Sequence, residues 1–357
     1  MKAQAHSDDA GIGIVYGSAD GLTPGARRLI SPQRQAARVD GQAPALFDAE
    51  DSCDLDGDGF TDLIVTTDPP YDGQGRPPVP LQVLFGSPDG LTGTAVVLDV
   101  PDRARYGNDW PDQPVCGDFD GDGAEDLVLH ASEGRLSFLR GPFTREGSPP
   151  TRRCRRSRPR ATSPPAPQPT STATDTTTCW SARPRAAAPP GWCWAAPQGP
   201  TRTGTALPAG IDVALGNFGR GKALDAAVGT MGETSLRYDL PTPATGTLAS
   251  PGSMLAAGDF DGDGHSDLVS YGSRLKVFRG GTAGPDARTM VTLRPPASGT
   301  TRVVAVGDFD GDRRADLVVR TYQGETRDTV AVYPGTTTGL LGPSPTVTFS
   351  TAQFLGM

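Results

Sequence analysis

Four stretches of this 357-residue chain each crowd four aspartates into nine positions. They read DLDGDGFTD from Asp54, DFDGDGAED from Asp118, DFDGDGHSD from Asp259 and DFDGDRRAD from Asp308. As such a loop turns, the side chains at positions 1, 3 and 5 converge on one point. Gly at position 6 permits the bend, the carbonyl at position 7 faces inward, and Asp at position 9 closes the shell. Hard oxygen donors in this number suit Ca²⁺, with water completing six to eight ligands. The first expected set is Asp54, Asp56, Asp58, the Phe60 carbonyl and Asp62. The second is Asp118, Asp120, Asp122, the Ala124 carbonyl and Asp126. The third is Asp259, Asp261, Asp263, the His265 carbonyl and Asp267. The fourth is Asp308, Asp310, Asp312, the Arg314 carbonyl and Asp316.

Asp and Gly are ordinary turn residues, so one acidic turn would carry little weight. Four copies in one register are different, because carboxylates packed this closely repel one another unless a cation neutralises them. A helix–loop–helix calcium site needs a bidentate Glu at position 12. Here that position holds Val65, Leu129, Ser270 or Val319, and β-formers follow. The Asp308 loop is the weakest of the four: Arg313 stands where the others have Gly, and Arg313 and Arg314 compete with a cation. A worn copy, NFGRGKALD from Asn217, keeps the frame with only Asp225 and is expected to be empty.

Each loop is followed by an apolar run and then by a second pattern, a short alternating strand ending in a Gly-containing turn. Its copies are GIGIVYGSADGLT (11–23), PLQVLFGSPDGLTG (80–93), RLSFLRGP (135–142), RLKVFRGG (274–281) and VAVYPGTTTGL (330–340), with a degraded one near SLRYDL (235–240). The period is about 42–64 residues, the range of propeller blades. Each unit reads as two β-hairpins, about four strands, and no helical periodicity is visible. One such sheet cannot bury both faces alone, so the units must stack.

The GDFDGDG-x-x-DLV string and the strand-plus-turn pattern after it resemble the FG-GAP/VCBS repeats of integrin α-subunits and their bacterial relatives, over most of residues 11–340. The resemblance implies an all-β propeller of about seven four-stranded antiparallel blades, with Ca²⁺ in loops at one end of them. Blade one is expected to be incomplete, because GIGIVYGSADGLT is a second half with no calcium half before it. A truncated N-terminus would explain both this and the missing signal peptide: MKAQAHSDDAG has no apolar core.

Composition fits many strands and turns, with 46 Gly, 35 Pro and 36% hydrophobic residues. The net charge of −8 hides two regions. Residues 151–205 hold nine Arg, one acid, three of the five Cys and three of the four Trp; the remainder is net −16. Three segments follow: 1–150 with loops 54–62 and 118–126, the irregular 151–205, and 206–357 with loops 259–267 and 308–316. The middle segment falls where another blade is due. Back-translated with GC-rich synonyms and read one frame over, Gln168 to Ser181 can encode A-D-L-D-R-D-G-H-D-D-L-L-V, a complete loop. In the same frame Pro190 to Gly199 can encode G-V-V-L-G-G-P-A-G-P, the turn that should follow. A frameshifted blade is the expectation, and 151–205 as written should form neither a blade nor a calcium loop.

No other site stands out. Of the three His, His6 is in the first residues, His130 ends a strand, and His265 would serve through its backbone; no His/Cys spacing suggests zinc. GTMGE (229–233) lacks the Lys and helix of a phosphate loop. Cys53 and Cys116 precede loops in neighbouring blades and could pair. The loops absorb most carboxylates and leave little for acid–base catalysis. The expected function is a Ca²⁺-binding extracellular or cell-surface module that binds a protein or glycan, with no catalytic residue, no nucleic-acid partner and no membrane span, acting as a monomer. The alternatives are a secreted hydrolase or lyase, since some proteins resembling this family carry such activity, or a frameshifted product with no function.

Overall fold

The computed structural model describes residues 11–150 and 207–351, apart from 17–20, 24, 26, 40, 42–43, 69–79, 109–110, 132–135, 220, 222–223, 241–243, 324–327 and 343. The frameshift expectation for 151–205 therefore lies outside the described residues. The fold is all-β, of the β-propeller type. Helix among the described residues is limited to α1 (Pro32–Gln35), α2 (Asp102–Arg105) and one 3-10 turn at Ala287–Thr289. None of these is long and apolar enough to cross a membrane.

Strands β1 (Ile12–Val15) and β2 (Arg27–Ile30) form a two-stranded sheet. Five blades follow. The first is β3 (Leu46–Cys53), β4 (Asp62–Asp68), β5 (Gln82–Leu84) and β6 (Val96–Val97); the second has only β7 (Asp112–Gly117), β8 (Asp126–His130) and β9 (Leu136–Leu139). The third is β10 (Asp212–Gly216), β11 (Asp225–Gly229), β12 (Thr234–Tyr238) and β13 (Ala244–Leu248). The fourth is β14 (Met254–Gly258), β15 (Asp267–Tyr271), β16 (Leu275–Phe278) and β17 (Val291–Thr292). The fifth is β18 (Thr300–Gly307), β19 (Asp316–Tyr322), β20 (Thr329–Tyr333) and β21 (Val347–Ser350). Every blade is an antiparallel meander in sequence order.

Seven blades is therefore a correction: the described residues build five. Among the described residues the second half at 11–23 pairs with β2 alone, and two strands cannot cover a blade's width. The degraded copy at 235–240 is in fact β12 of a complete blade, since β12 pairs on both sides without a shift in register.

Two compact units contain these blades, the first and second in one and the third to fifth in the other. Within each unit, period-2 alternation sends successive residues to opposite neighbours. In β15, Leu268 packs into the core shared with the third blade, beside Phe218, Leu236 and Leu248, whereas Val269 packs into the core shared with the fifth, beside Leu317, Val319 and Tyr333. The first and second blades share Leu55, Ile64 and Val83 against Leu127, Leu129 and Leu139. Each such side chain, buried fully, contributes about 1.5–3 kcal/mol.

Adjacent blades are also tied through their first strands. Cys53 and Cys116 form a disulfide with Cα atoms 6.2 Å apart. Beside it the Cys116 N–H donates to Asp51 at 2.8 Å. In the other unit the Leu255 N–H donates to Asp212 at 2.7 Å, joining the third and fourth blades.

Candidate metal centre

The acidic loops are the connections between first and second strands, β3–β4, β7–β8, β14–β15 and β18–β19. Strand residues resume at position 9, so the loop begins and ends within one hairpin. The residue at position 2 anchors it: Leu55, Phe119 and Phe260 are at most 1% exposed. Its carbonyl is held by the next blade, Leu55 accepting from the Phe143 N–H at 2.7 Å and Phe260 from the Thr336 N–H at 2.9 Å.

The position-1 aspartate shapes the turn. Asp54 Oδ1 accepts the N–H groups of Gly57 (2.9 Å) and Asp58 (3.0 Å), and Oδ2 that of Gly59 (2.8 Å). Asp118, Asp259 and Asp308 make the same three bonds in their loops. Position 6 is left-handed throughout, φ being 89° at Gly59, 88° at Gly123, 86° at Gly264 and 70° at Arg313. Arg313 thus takes the glycine conformation, at a cost of about 1 kcal/mol for a residue with a Cβ.

Positions 1, 3 and 5 come together as expected in three loops. Carboxylate oxygens of Asp54, Asp56 and Asp58 lie within 4.8 Å of one another, as do those of Asp118, Asp120 and Asp122, and of Asp259, Asp261 and Asp263. In the fourth loop the cluster is Asp308, Asp310 and Asp316. Asp312 is instead ion-paired with Arg314 of its own loop. At position 7 the N–H groups of Phe60, Ala124, His265 and Arg314 donate to the position-5 carboxylate, at 2.8–3.1 Å. The His265 ring also lies 3.2 Å from Asp263 Oδ1.

Position 9 has a second job. Asp62 is fully buried; its Oδ2 accepts the Leu55 N–H at 2.8 Å and its Oδ1 the Gly86 N–H at 2.7 Å. Asp126 accepts from Phe119 and Gly141, Asp267 from Phe260 and Gly280, and Asp316 from Phe309 and Gly335. Each carboxylate so clasps its own loop to the turn after the third strand. This is why that turn carries a glycine: a Cβ at Gly141 would sit 2.0 Å from the Glu125 carbonyl, and one at Gly280 2.3 Å from that of Ser266. Burial pushes the clasp carboxyls up, Asp62 and Asp126 to about 6 and Asp267 to about 7, although the two amides oppose it.

Arginines that the ligand pattern does not include complete the geometry. Arg145 reaches Asp56 at 2.6 Å and also pairs with Asp58, while stacking 5.6 Å over the Phe85 ring. Arg140 pairs with Asp120 and lies 3.4 Å from Asp122; Arg279 lies 2.9 Å from Asp261. Arg140 and Arg279 occupy the same place in RLSFLRGP and RLKVFRGG, just before the clasp glycine, so the signal was present in the sequence. The position-3 carboxylates beneath them are buried, Asp120 with 0% and Asp261 with 2% of its side chain exposed. Asp120 Oδ2 and Asp261 Oδ2 accept from no backbone amide, and each meets an arginine charge instead. A buried carboxylate oxygen whose partner is a cationic side chain fits a cation ligand, and the donor set, all hard oxygen, fits Ca²⁺.

Other singled-out residues are structural. His130 ends β8 and lies 3.2 Å from Asp112. GTMGE is the β11–β12 hairpin turn, closed by Thr230 and Glu233.

Residues 259–319, running from the third acidic loop through the last three strands of the fourth blade to the fourth loop and the first residues of β19, match the family model described as FG-GAP-like repeat. No curated protein matches the chain. Among solved structures, one is titled for specific recognition of non-reducing terminal N-acetylglucosamine by an Agrocybe aegerita lectin. It has 12% identity and a TM-score of 0.40, with 96% of this chain and 90% of that one covered. The family match covers two of the acidic loops, so the chain carries an FG-GAP-like repeat at 259–319 within a fold of the β-propeller type; the same clasp and acid cluster recur in the first and second blades.

Proposed function

We propose that this chain is a Ca²⁺-stabilised extracellular binding module whose loops at Asp54, Asp118, Asp259 and Asp308 each hold one ion. The observation that carries the reading is the fourfold convergence of three carboxylates within 4.8 Å. In the first three loops the ion would take oxygens from positions 1, 3 and 5, with water completing the shell, and would displace the arginine that rests on position 3 in each and on position 5 as well in the first two. In the fourth it would take Asp308, Asp310 and Asp316. The Cys53–Cys116 bridge supports an oxidising compartment. The loop carboxylates are committed to metal and to backbone amides, and the module acts by binding a protein or glycan as a monomer rather than by catalysis.

Calorimetric titration of the metal-free chain tests this. About four Ca²⁺ should bind, with dissociation constants of roughly 10⁻⁴–10⁻³ M as for extracellular sites. At ~1 mM Ca²⁺ each filled site then adds about 0.4–1.4 kcal/mol. Absence of Ca²⁺ uptake would overturn the proposal.

A further inference from the structure

The fifth blade places two arginines directly opposite each other at the end of its first hairpin away from the acidic loop. In the β18–β19 register Arg302 faces Arg320 and Thr300 faces Tyr322. One residue between, the Thr301 and Thr321 hydroxyls bond at 2.8 Å on the other face and fix that register. Like charges directly opposite on a strand pair are destabilising. Only one of the two is neutralised: Arg320 donates from Nε (2.9 Å) and Nη2 (2.6 Å) to Asp328 Oδ2. Asp328 is itself buried and held by the Gln323 N–H at 2.8 Å, so Arg320 is fixed in place.

Arg302 is exposed, and among the described residues no acid pairs with it. Its guanidinium lies 5.7 Å from the centre of the Tyr322 ring, and that of Arg320 4.7 Å from the same centre. Cation–π stacking itself uses no donor, so it leaves the Arg302 fork as it is, whereas Arg320 already gives Nε and Nη2 to Asp328. The ring is 42% exposed and Val304 on the same strand 58%, so apolar surface borders the charge.

We propose that Arg302, Arg320 and Tyr322 form a binding site for a carboxylate carried on a sugar ring, such as a uronic acid. The planar Arg302 guanidinium matches a carboxylate bidentately, and Arg320 adds its Nη1 donors beside it. Among the described residues, two arginines against one aspartate leave a single positive charge, which one carboxylate per sugar balances. The exposed tyrosine ring offers a flat platform to the C–H face of a pyranose. An acidic peptide would match the charge equally, but its extended backbone has no use for the ring. This deepens the binding-module reading and rests on it, yet the site shares no residue with the acidic loops.

The test is titration of the full chain, in Ca²⁺, with a galacturonate trisaccharide, a neutral galactose trisaccharide and a glutamate-rich peptide. The galacturonate trisaccharide should bind, at least tenfold more weakly in Arg302→Ala and more weakly as salt rises. Arg302→Lys should recover only part of the loss, because a point charge replaces the planar fork. The melting temperature of Arg302→Ala without ligand should be unchanged or higher, which separates lost binding from lost folding. No binding of galacturonate, equal binding of the neutral sugar, tighter binding of the peptide, or an Arg302→Ala variant that binds normally would each overturn the proposal. Calcium uptake by the same variant reports on the loops separately.

Discussion

The loops at Asn217 and Asp259 stand in adjacent blades and close in the same way. Both bury a phenylalanine at position 2, Phe218 and Phe260, each 0% exposed. Both clasp position 9 to two parts of the blade: Asp225 accepts the Phe218 N–H at 2.8 Å and the Asp239 N–H at 2.8 Å, as Asp267 accepts those of Phe260 and Gly280. They are even joined, the Ser266 N–H donating to the Asn217 carbonyl at 2.7 Å. Yet positions 1, 3 and 5 are Asn217, Gly219 and Gly221 in one loop and Asp259, Asp261 and Asp263 in the other. The hairpin therefore needs its clasp and its apolar anchor, while the crowded carboxylates are a separate layer of chemistry laid on the same turn.

Breaking the clasp should have the largest effect, and the same one in both blades. Asp267→Ala strands two amides, and Asp225→Ala strands two and also a third, the Gly219 N–H, which shares an oxygen with that of Phe218. A stranded buried amide costs about 1–3 kcal/mol. Chemical denaturation in EDTA should show losses of about 2–5 kcal/mol for both, equal within about 1 kcal/mol. A harmless Asp225→Ala would break the comparison.

A smaller effect follows from the raised clasp pKa values. Unfolded, these carboxyls have the ordinary aspartate value of 3.8; folded, burial raises Asp62 and Asp126 to about 6 and Asp267 to about 7. Between those limits the folded chain binds more protons than the unfolded one. These groups therefore lower metal-free stability as pH rises from about 4 through 7. Denaturation midpoints in EDTA at pH 5 and pH 8 should show this contribution as a slope that shrinks in Asp267→Asn. A slope unaffected by that substitution would show that the buried clasp does not titrate as described.

Much of this was legible in the sequence, and the gaps have physical causes. The hairpins, the turn at each loop and the strand after it followed from Asp/Gly spacing and apolar runs. Blade number did not, because a strand-plus-turn motif such as 11–23 reads the same whether or not three partners exist to pair with it. The clasp was hidden because Asp at position 9 looks identical as a metal ligand and as an acceptor of two amides; only the pairing of β8 with β9 brings Gly141 to Asp126. The third blade hid it further, since Asp239, at φ 53°, stands where the other blades have glycine. Arg145 was invisible for another reason, reaching the first loop across 87 residues of sequence from Asp58. Arg140 and Arg279, by contrast, share a position in aligned motifs and could have been read.

The separation of fold from metal is tested most directly by one measurement: the melting temperature of Asp261→Asn/Asp263→Asn beside the native chain, in EDTA and in ~1 mM Ca²⁺. In EDTA the double variant should melt at or slightly above the native temperature, because two crowded charges are gone while the Asp267 clasp remains. In Ca²⁺ it should gain less than the native chain by one site's share, about 0.4–1.4 kcal/mol. A variant that unfolds without metal, or one that gains as much from Ca²⁺ as the native chain, would contradict the account.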